Sequence, residues 1–94
     1  MSSPITGGWS DYREPTREEL NIFNQAIHNH DNPLIGVNYK PLAVATQVVE
    51  GMNYSFFCNA MPATHYPQHE AAIVDIWMDS AQTIKLTDIH KVTH

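Results

Sequence analysis

Cysteine is nearly absent from the chain, and its scarcity limits how the fold can be held. Cys58 is the only cysteine among the 94 residues, so no disulfide can form within the chain and packing must hold the fold. It lies in an alternating run among aromatic residues, where a buried structural thiol is more common than a nucleophile. We therefore expect this thiol to have a structural role.

Basic residues are also scarce, five against ten acidic ones, for a formal net charge of −5. No cluster of lysine or arginine offsets this charge, which argues against nucleic acid and anionic membranes as partners. No apolar run approaches the roughly 18 residues of a membrane span, and the first six residues lack the basic and apolar parts of a signal peptide. The expected location is cytoplasmic, or secreted or periplasmic if Met1 replaces a removed signal peptide.

The size and composition that remain fit one small globular domain. Ninety-four residues with 43% hydrophobic content can bury a single core. Residues 1–8 are predicted as a flexible N-terminal arm, because small and polar residues lead to the hinge-like pair Gly7-Gly8. Residues 9–94 then form the domain.

A helix is predicted to begin near Thr16. Its side chain can cap the first free amides, while Glu19, three residues on, reaches back to complete a capping box. Pro33 cannot continue a helix, so the end is expected between His30 and Asn32. The apolar stripe of this helix is predicted to comprise Leu20, Phe23, Ala26 and Ile27.

Alternating patterns after the helix predict two β-hairpins. The four strands are expected at 41–49, 52–60, 71–78 and 83–89. Residues 34–39 and 61–70 are expected as connections, and a short strand near 9–12 would add a fifth member. The predicted class is α+β, an antiparallel sheet of four to five strands packed on one helix.

The tip of the first hairpin, Gln47-Val48-Val49-Glu50-Gly51, is the candidate functional stretch. Gly51 accepts a positive φ without a Cβ clash, so the chain can reverse there in a tight loop. Valines are unusual at a turn, because their side chains cannot reach the hairpin's own core. They suit contact with a partner. The alternative is that Val48 and Val49 end a strand, one facing in and one facing out.

Together with Met52-Asn53-Tyr54, this stretch resembles the first hairpin loop of the cystatins, whose motif is Gln, any residue, Val, any residue, Gly. The small disulfide-free members, the stefins, often continue with an Asn-Tyr pair. The glycine pair before the helix and the mid-chain position of the loop match as well. The resemblance covers about residues 7 to 92 and implies a cystatin-like fold in which the sheet wraps around the helix.

The resemblance also implies a function: reversible, tight-binding inhibition of papain-like (cathepsin-type) cysteine proteases, with no catalytic residue, cofactor or metal. In this family an N-terminal arm and two hairpin loops fill the protease cleft. The implied protease-binding residues are Ile5, Thr6, Gly7 and Gly8 of the arm, Gln47, Val48, Val49, Glu50 and Gly51 of the first loop, and Met78, Asp79 and Ser80 of the second hairpin tip. The implied state is a monomer, with the domain-swapped dimer that cystatins form as an alternative.

The second hairpin departs from the family pattern. Secreted cystatins usually carry Pro-Trp at this tip and stefins often Pro-His, whereas this turn is Asp79-Ser80-Ala81, with Trp77 two residues earlier. We expect Trp77 to face the helix, the alternative being a position near the tip where it substitutes for the missing residues.

Three other functions are compatible with the sequence. The altered second tip supports a cystatin-like interaction module that does not inhibit proteases. Six histidines, including the pairs His28/His30 and His65/His69, suggest metal binding, although their spacing completes no zinc pattern. Catalysis by Cys58 would require an activating neighbour that a strand position does not supply.

Overall fold

The structure, a computed structural model, describes residues 8–28, 37–62 and 68–92. Within these residues the chain forms one helix and then one antiparallel sheet whose strands follow in chain order. The elements are α1 (Arg17–His28), β1 (Val37–Val49), β2 (Gly51–Pro62), β3 (Glu70–Met78) and β4 (Ile84–Lys91). The predicted α+β class and the two antiparallel hairpins are confirmed.

The capping box predicted at the start of α1 is present. The backbone N–H of Thr16 donates to Glu19 Oε1 at 2.9 Å, and the backbone N–H of Glu19 donates to Thr16 Oγ1 at 3.2 Å. These two bonds satisfy amides that have no partner inside the helix. The helix is described as far as His28, so its predicted end between His30 and Asn32 lies outside the described residues.

The buried face of α1 is rotated slightly from the predicted one, toward residues one position earlier in the sequence. Ile22, Phe23 and Ala26 are buried, whereas Leu20 and Ile27 are only half-buried. The Phe23 ring meets the ring of Phe56 on β2 edge to face, with centroids 5.0 Å apart. The core that these residues share with the sheet also contains Val44, Tyr54, Cys58, Val74 and Ile76.

Strand β1 begins at Val37, four residues before its predicted start at Pro41, so residues 37–39 belong to the sheet rather than to a connection. Proline is tolerated there because β1 is an edge strand. The register with β2 shifts between Pro41 and Ala43 and skips Leu42. Leu42 is 49% exposed, as expected of the extra residue in a β-bulge.

The segment before the helix runs along β1 without forming a regular strand. Two isolated antiparallel bridges, Trp9 to Gln47 and Arg13 to Val44, attach it. The backbone N–H of Ser10 donates to Thr46 O at 2.8 Å, and Arg13 exchanges two backbone bonds with Val44. The fifth strand predicted near 9–12 is therefore reduced to these bridges.

Candidate functional site at the hairpin tips

The tips of both hairpins lie side by side at one end of the sheet. In the first hairpin Val49 pairs with Gly51, which leaves Glu50 alone at the apex. The predicted five-residue loop is thus narrower than expected, because 47–49 belong to β1 and Gly51 already belongs to β2. Pairing of Met52 with Met78 places the start of the second tip beside the first.

Gly51 is required for two separate reasons. Its φ is 90°, in the region that residues with a Cβ rarely adopt. A Cβ built at this position would overlap the carbonyl oxygen of Met78 and would lie 2.9 Å from the Cα of Asp79. The glycine therefore both turns the chain and leaves room for the backbone of the second hairpin.

Trp77 joins the two tips rather than facing the helix. Its indole N–H donates to the backbone carbonyl of Glu50 at 3.0 Å. Its neighbours Ile76 and Met78 supply the opposite face, the one that packs on the core. The expectation that Trp77 packs on the helix is wrong, because side chains alternate along β3 and Ile76 already occupies the inner position.

The second tip is closed by its own aspartate. Asp79 Oδ1 accepts hydrogen bonds from the backbone N–H groups of Ala81 and Thr83, each at 2.9 Å. The backbone N–H of Gln82 donates to Asp79 O at 2.9 Å, and Gln82 has a φ of 67°. Ser80 is exposed. The turn is thus an aspartate-closed turn followed by a left-handed residue.

The first tip presents a mixed surface. Gln47 and Asn53 pair across the hairpin, and the Asn53 side-chain amide donates to Gln47 Oε1 at 2.8 Å. Val48 pairs with Met52, which packs against the core, so alternation turns Val49 to the other face. Both valines are half-buried. The two valines therefore face opposite sides of the sheet, as in the strand-end alternative: Val48 faces the core and Val49 faces outward.

Part of the predicted arm meets the same edge. Gly8 is half-buried and Trp9, bridged to Gln47, has a side chain that is half-exposed. The structure thus brings one described arm residue and Trp9 to the side of the first hairpin. The other arm residues of the predicted site, Ile5, Thr6 and Gly7, lie outside the described residues.

An ion pair between Arg13 and Glu19 attaches the segment before the helix to the start of α1. The Arg13 guanidinium donates to both carboxylate oxygens of Glu19, at 2.7 and 2.6 Å. These bonds lower the pKa of Glu19 despite its burial, and they raise that of Arg13. Arg13 is also bonded to Val44, so the ion pair connects the start of α1 to β1.

The thiol and two of the histidines lie away from the tips. Burial in the core raises the pKa of Cys58 to about 12, so the thiolate is disfavoured, as expected of a structural thiol. His28 is bonded to Asn24 O and His69 to the Asn59 side chain. His30 and His65, their partners in the suggested metal pairs, lie outside the described residues.

No helix within residues 8–28, 37–62 and 68–92 has the length and apolar character needed to cross a membrane. Comparison of the chain with protein-family models, with curated proteins and with solved structures finds no match.

Proposed function

We propose that this protein is a reversible inhibitor of papain-like cysteine proteases with a cystatin-like fold. One observation carries the proposal: two hairpin tips and the residues that follow the glycine pair meet at one end of the sheet. Trp9 is bridged to Gln47, and Gly51 lies against the backbone of Asp79. This is the arrangement that the cystatin resemblance of the Gln47–Gly51 stretch implies for a wedge that enters a protease cleft.

The contacts within the edge support tight binding by such a wedge. The first tip is held by the bond from Trp77 to Glu50 and by close contact at Gly51. A surface that is already ordered loses little conformational entropy when it docks. Val49 and the exposed part of Trp9 supply apolar area that a protein partner can bury. In this proposal the inhibitor acts as a cytoplasmic monomer.

Titration of papain with the purified monomer tests this function. We expect stoichiometric inhibition by the native chain and an inhibition constant at least ~10-fold weaker for Val49→Asp, because a charge at the centre of the contact loses more than about 1.4 kcal/mol. Leu42→Asp is the matched control, since Leu42 is an exposed apolar residue at the bulge of the same strand. It should inhibit as the native protein does, and circular dichroism checks that both variants fold.

The second candidate is a cystatin-fold interaction module that does not inhibit. The second tip favours it, because the turn is Asp79-Ser80-Ala81 where the family usually has Pro-Trp or Pro-His. Failure of the native monomer to inhibit papain and related enzymes would select this candidate. Equal inhibition by the native chain and Val49→Asp would instead show that the first tip does not contact the protease.

A further inference from the structure

The face of the sheet opposite the helix carries a cluster of three metal-ligating side chains. Asp75 on β3 pairs directly with Asp88 on β4, and His90 follows two residues later on the same face. One ligand atom of each side chain lies within 4.8 Å of the other two. His90 Nδ1 is 2.7 Å from Asp88 Oδ2.

Asp75 and Asp88 place two carboxylates directly opposite each other on neighbouring strands, an arrangement that a bound cation would stabilise. Like charges directly opposite one another on neighbouring strands are destabilising. Among the ion pairs of the described residues, only His90 contacts either carboxylate. Lys91, the next residue along β4, is paired instead with Glu70 at 3.1 Å. Among the described residues, the ion pairs therefore give these two aspartates no lysine or arginine partner.

Space for a bound ion and its water lies beside the cluster. A groove of about 340 Å³ is lined by Asp75 and His90, together with Tyr12 and Ser55. The hydroxyl groups of Tyr12 and Ser55 are 3.0 Å apart. The groove is therefore partly polar, and a ligand position that the protein leaves open can be filled by water from this side.

We propose that Asp75, Asp88 and His90 bind a divalent transition-metal ion, with Zn²⁺ as the best fit. Zn²⁺ takes imidazole nitrogen and carboxylate oxygen together, whereas Ca²⁺ and Mg²⁺ prefer oxygen ligands alone. Ligand atoms around a tetrahedral zinc lie about 3.3 Å apart, so small side-chain rotations complete the site. None of the three residues belongs to the hairpin tips, although Trp9 of the proposed protease contact lines the same groove.

Isothermal titration of the full chain with ZnCl₂ tests the site. We expect one equivalent to bind, with the dissociation constant raised at least ~10-fold in His90→Ala, which removes one of three ligands, and in Asp88→Asn, which replaces a carboxylate by a weaker, neutral oxygen ligand. His69→Ala is the matched control, because His69 is an exposed histidine hydrogen-bonded to Asn59 elsewhere on the sheet. It should bind Zn²⁺ as the native chain does.

Titration with MgCl₂ separates a zinc site from an acidic patch. Mg²⁺ should bind at least ~100-fold more weakly than Zn²⁺ if the imidazole is a ligand. The proposal is overturned if the native chain does not bind Zn²⁺, if Mg²⁺ binds equally well, or if His90→Ala binds like the native chain. Loss of binding in His69→Ala alone would place the metal elsewhere. Far-ultraviolet circular dichroism of each variant excludes unfolding as the cause.

Discussion

The two hairpin tips are closed in different ways. The second tip closes itself, because the Asp79 carboxylate holds the backbone of Ala81 and Thr83. The first is held from outside, by the indole of Trp77 on Glu50 and by the backbone packed against Gly51. The first tip therefore needs no Asn, Asp or Pro of its own. Because the second hairpin holds the first tip, the positions beside its apex can carry valines instead of turn-forming residues. The two tips can be compared by removing the contacts that hold each of them.

The largest effect is expected from Gly51→Ala. The added Cβ meets backbone atoms of the neighbouring hairpin, which cannot move aside as a side chain can, and alanine is strained at a φ of 90°. We expect a loss of about 2–3 kcal/mol in the free energy of unfolding, measured with urea. Glu50→Ala, a change of an exposed side chain at the same apex, should cost less than about 0.5 kcal/mol. Equal stability of Gly51→Ala and the native chain would contradict the outside support of this tip.

The next effect concerns the N-terminal segment, which the structure attaches to the first hairpin. Glu19→Gln removes the carboxylate that holds Arg13, and we expect a loss of about 1–2 kcal/mol at pH 7. Because the pKa of Glu19 is lowered in the folded state, its contribution is complete above the unfolded value of about 4.3 and is lost as the pH falls through the folded one.

The stabilities of the native chain and Glu19→Gln should therefore converge in acid, below about pH 4. Urea unfolding at a series of pH values measures this. A difference that is constant between pH 7 and pH 3 would show that packing, rather than the charge, is responsible.

A smaller loss is expected when the self-closing tip is broken. Asp79→Ala removes two hydrogen bonds from an exposed turn, for about 1 kcal/mol. Ser80→Ala, at the exposed apex of the same turn, is the control and should change stability by less than about 0.5 kcal/mol. If Asp79→Ala also weakens papain inhibition while Ser80→Ala does not, the second tip contributes to the proposed contact through its shape.

The smallest effect has the opposite sign. Gln82 adopts a φ of 67°, so Gln82→Gly relieves strain while adding freedom to the unfolded chain. We expect a net gain of about 0.5 kcal/mol. Thermal unfolding should detect the shift, and a loss of stability would indicate that the glutamine side chain has a role that its backbone does not reveal.

Features set by local chemistry could be predicted from the sequence. Thr16 and Glu19 form the predicted capping box, and Gly51 takes the predicted positive φ. The contact of Gly51 with the second hairpin could not be predicted, because it depends on the register of β2 with β3. The start of β1 at Val37 could not be predicted, because the strand continues through Pro41. Proline inside a strand is expected only at a sheet edge, and the sequence does not show that β1 is an edge strand.

The orientation of Trp77 was predictable in principle. Residues 73–78 are apolar on both alternating faces apart from Asp75, so hydrophobicity does not assign the inner face. Asp75 does assign the inner face, because burying an unpaired carboxylate against the helix would be costly. Trp77 lies two residues from Asp75, so it shares the outer face. The grouping of Asp75 with Asp88 and His90 required the pairing of β3 with β4, including its irregularity after Asp75.

Both tryptophans of the chain, Trp9 and Trp77, lie beside the first hairpin tip rather than in the core. The intrinsic indole fluorescence of the protein therefore originates at the edge proposed to enter a protease cleft. Its emission reports burial of that edge without any attached label. The interior, whose aromatic residues are phenylalanine and tyrosine, is nearly silent at the wavelengths that excite tryptophan selectively.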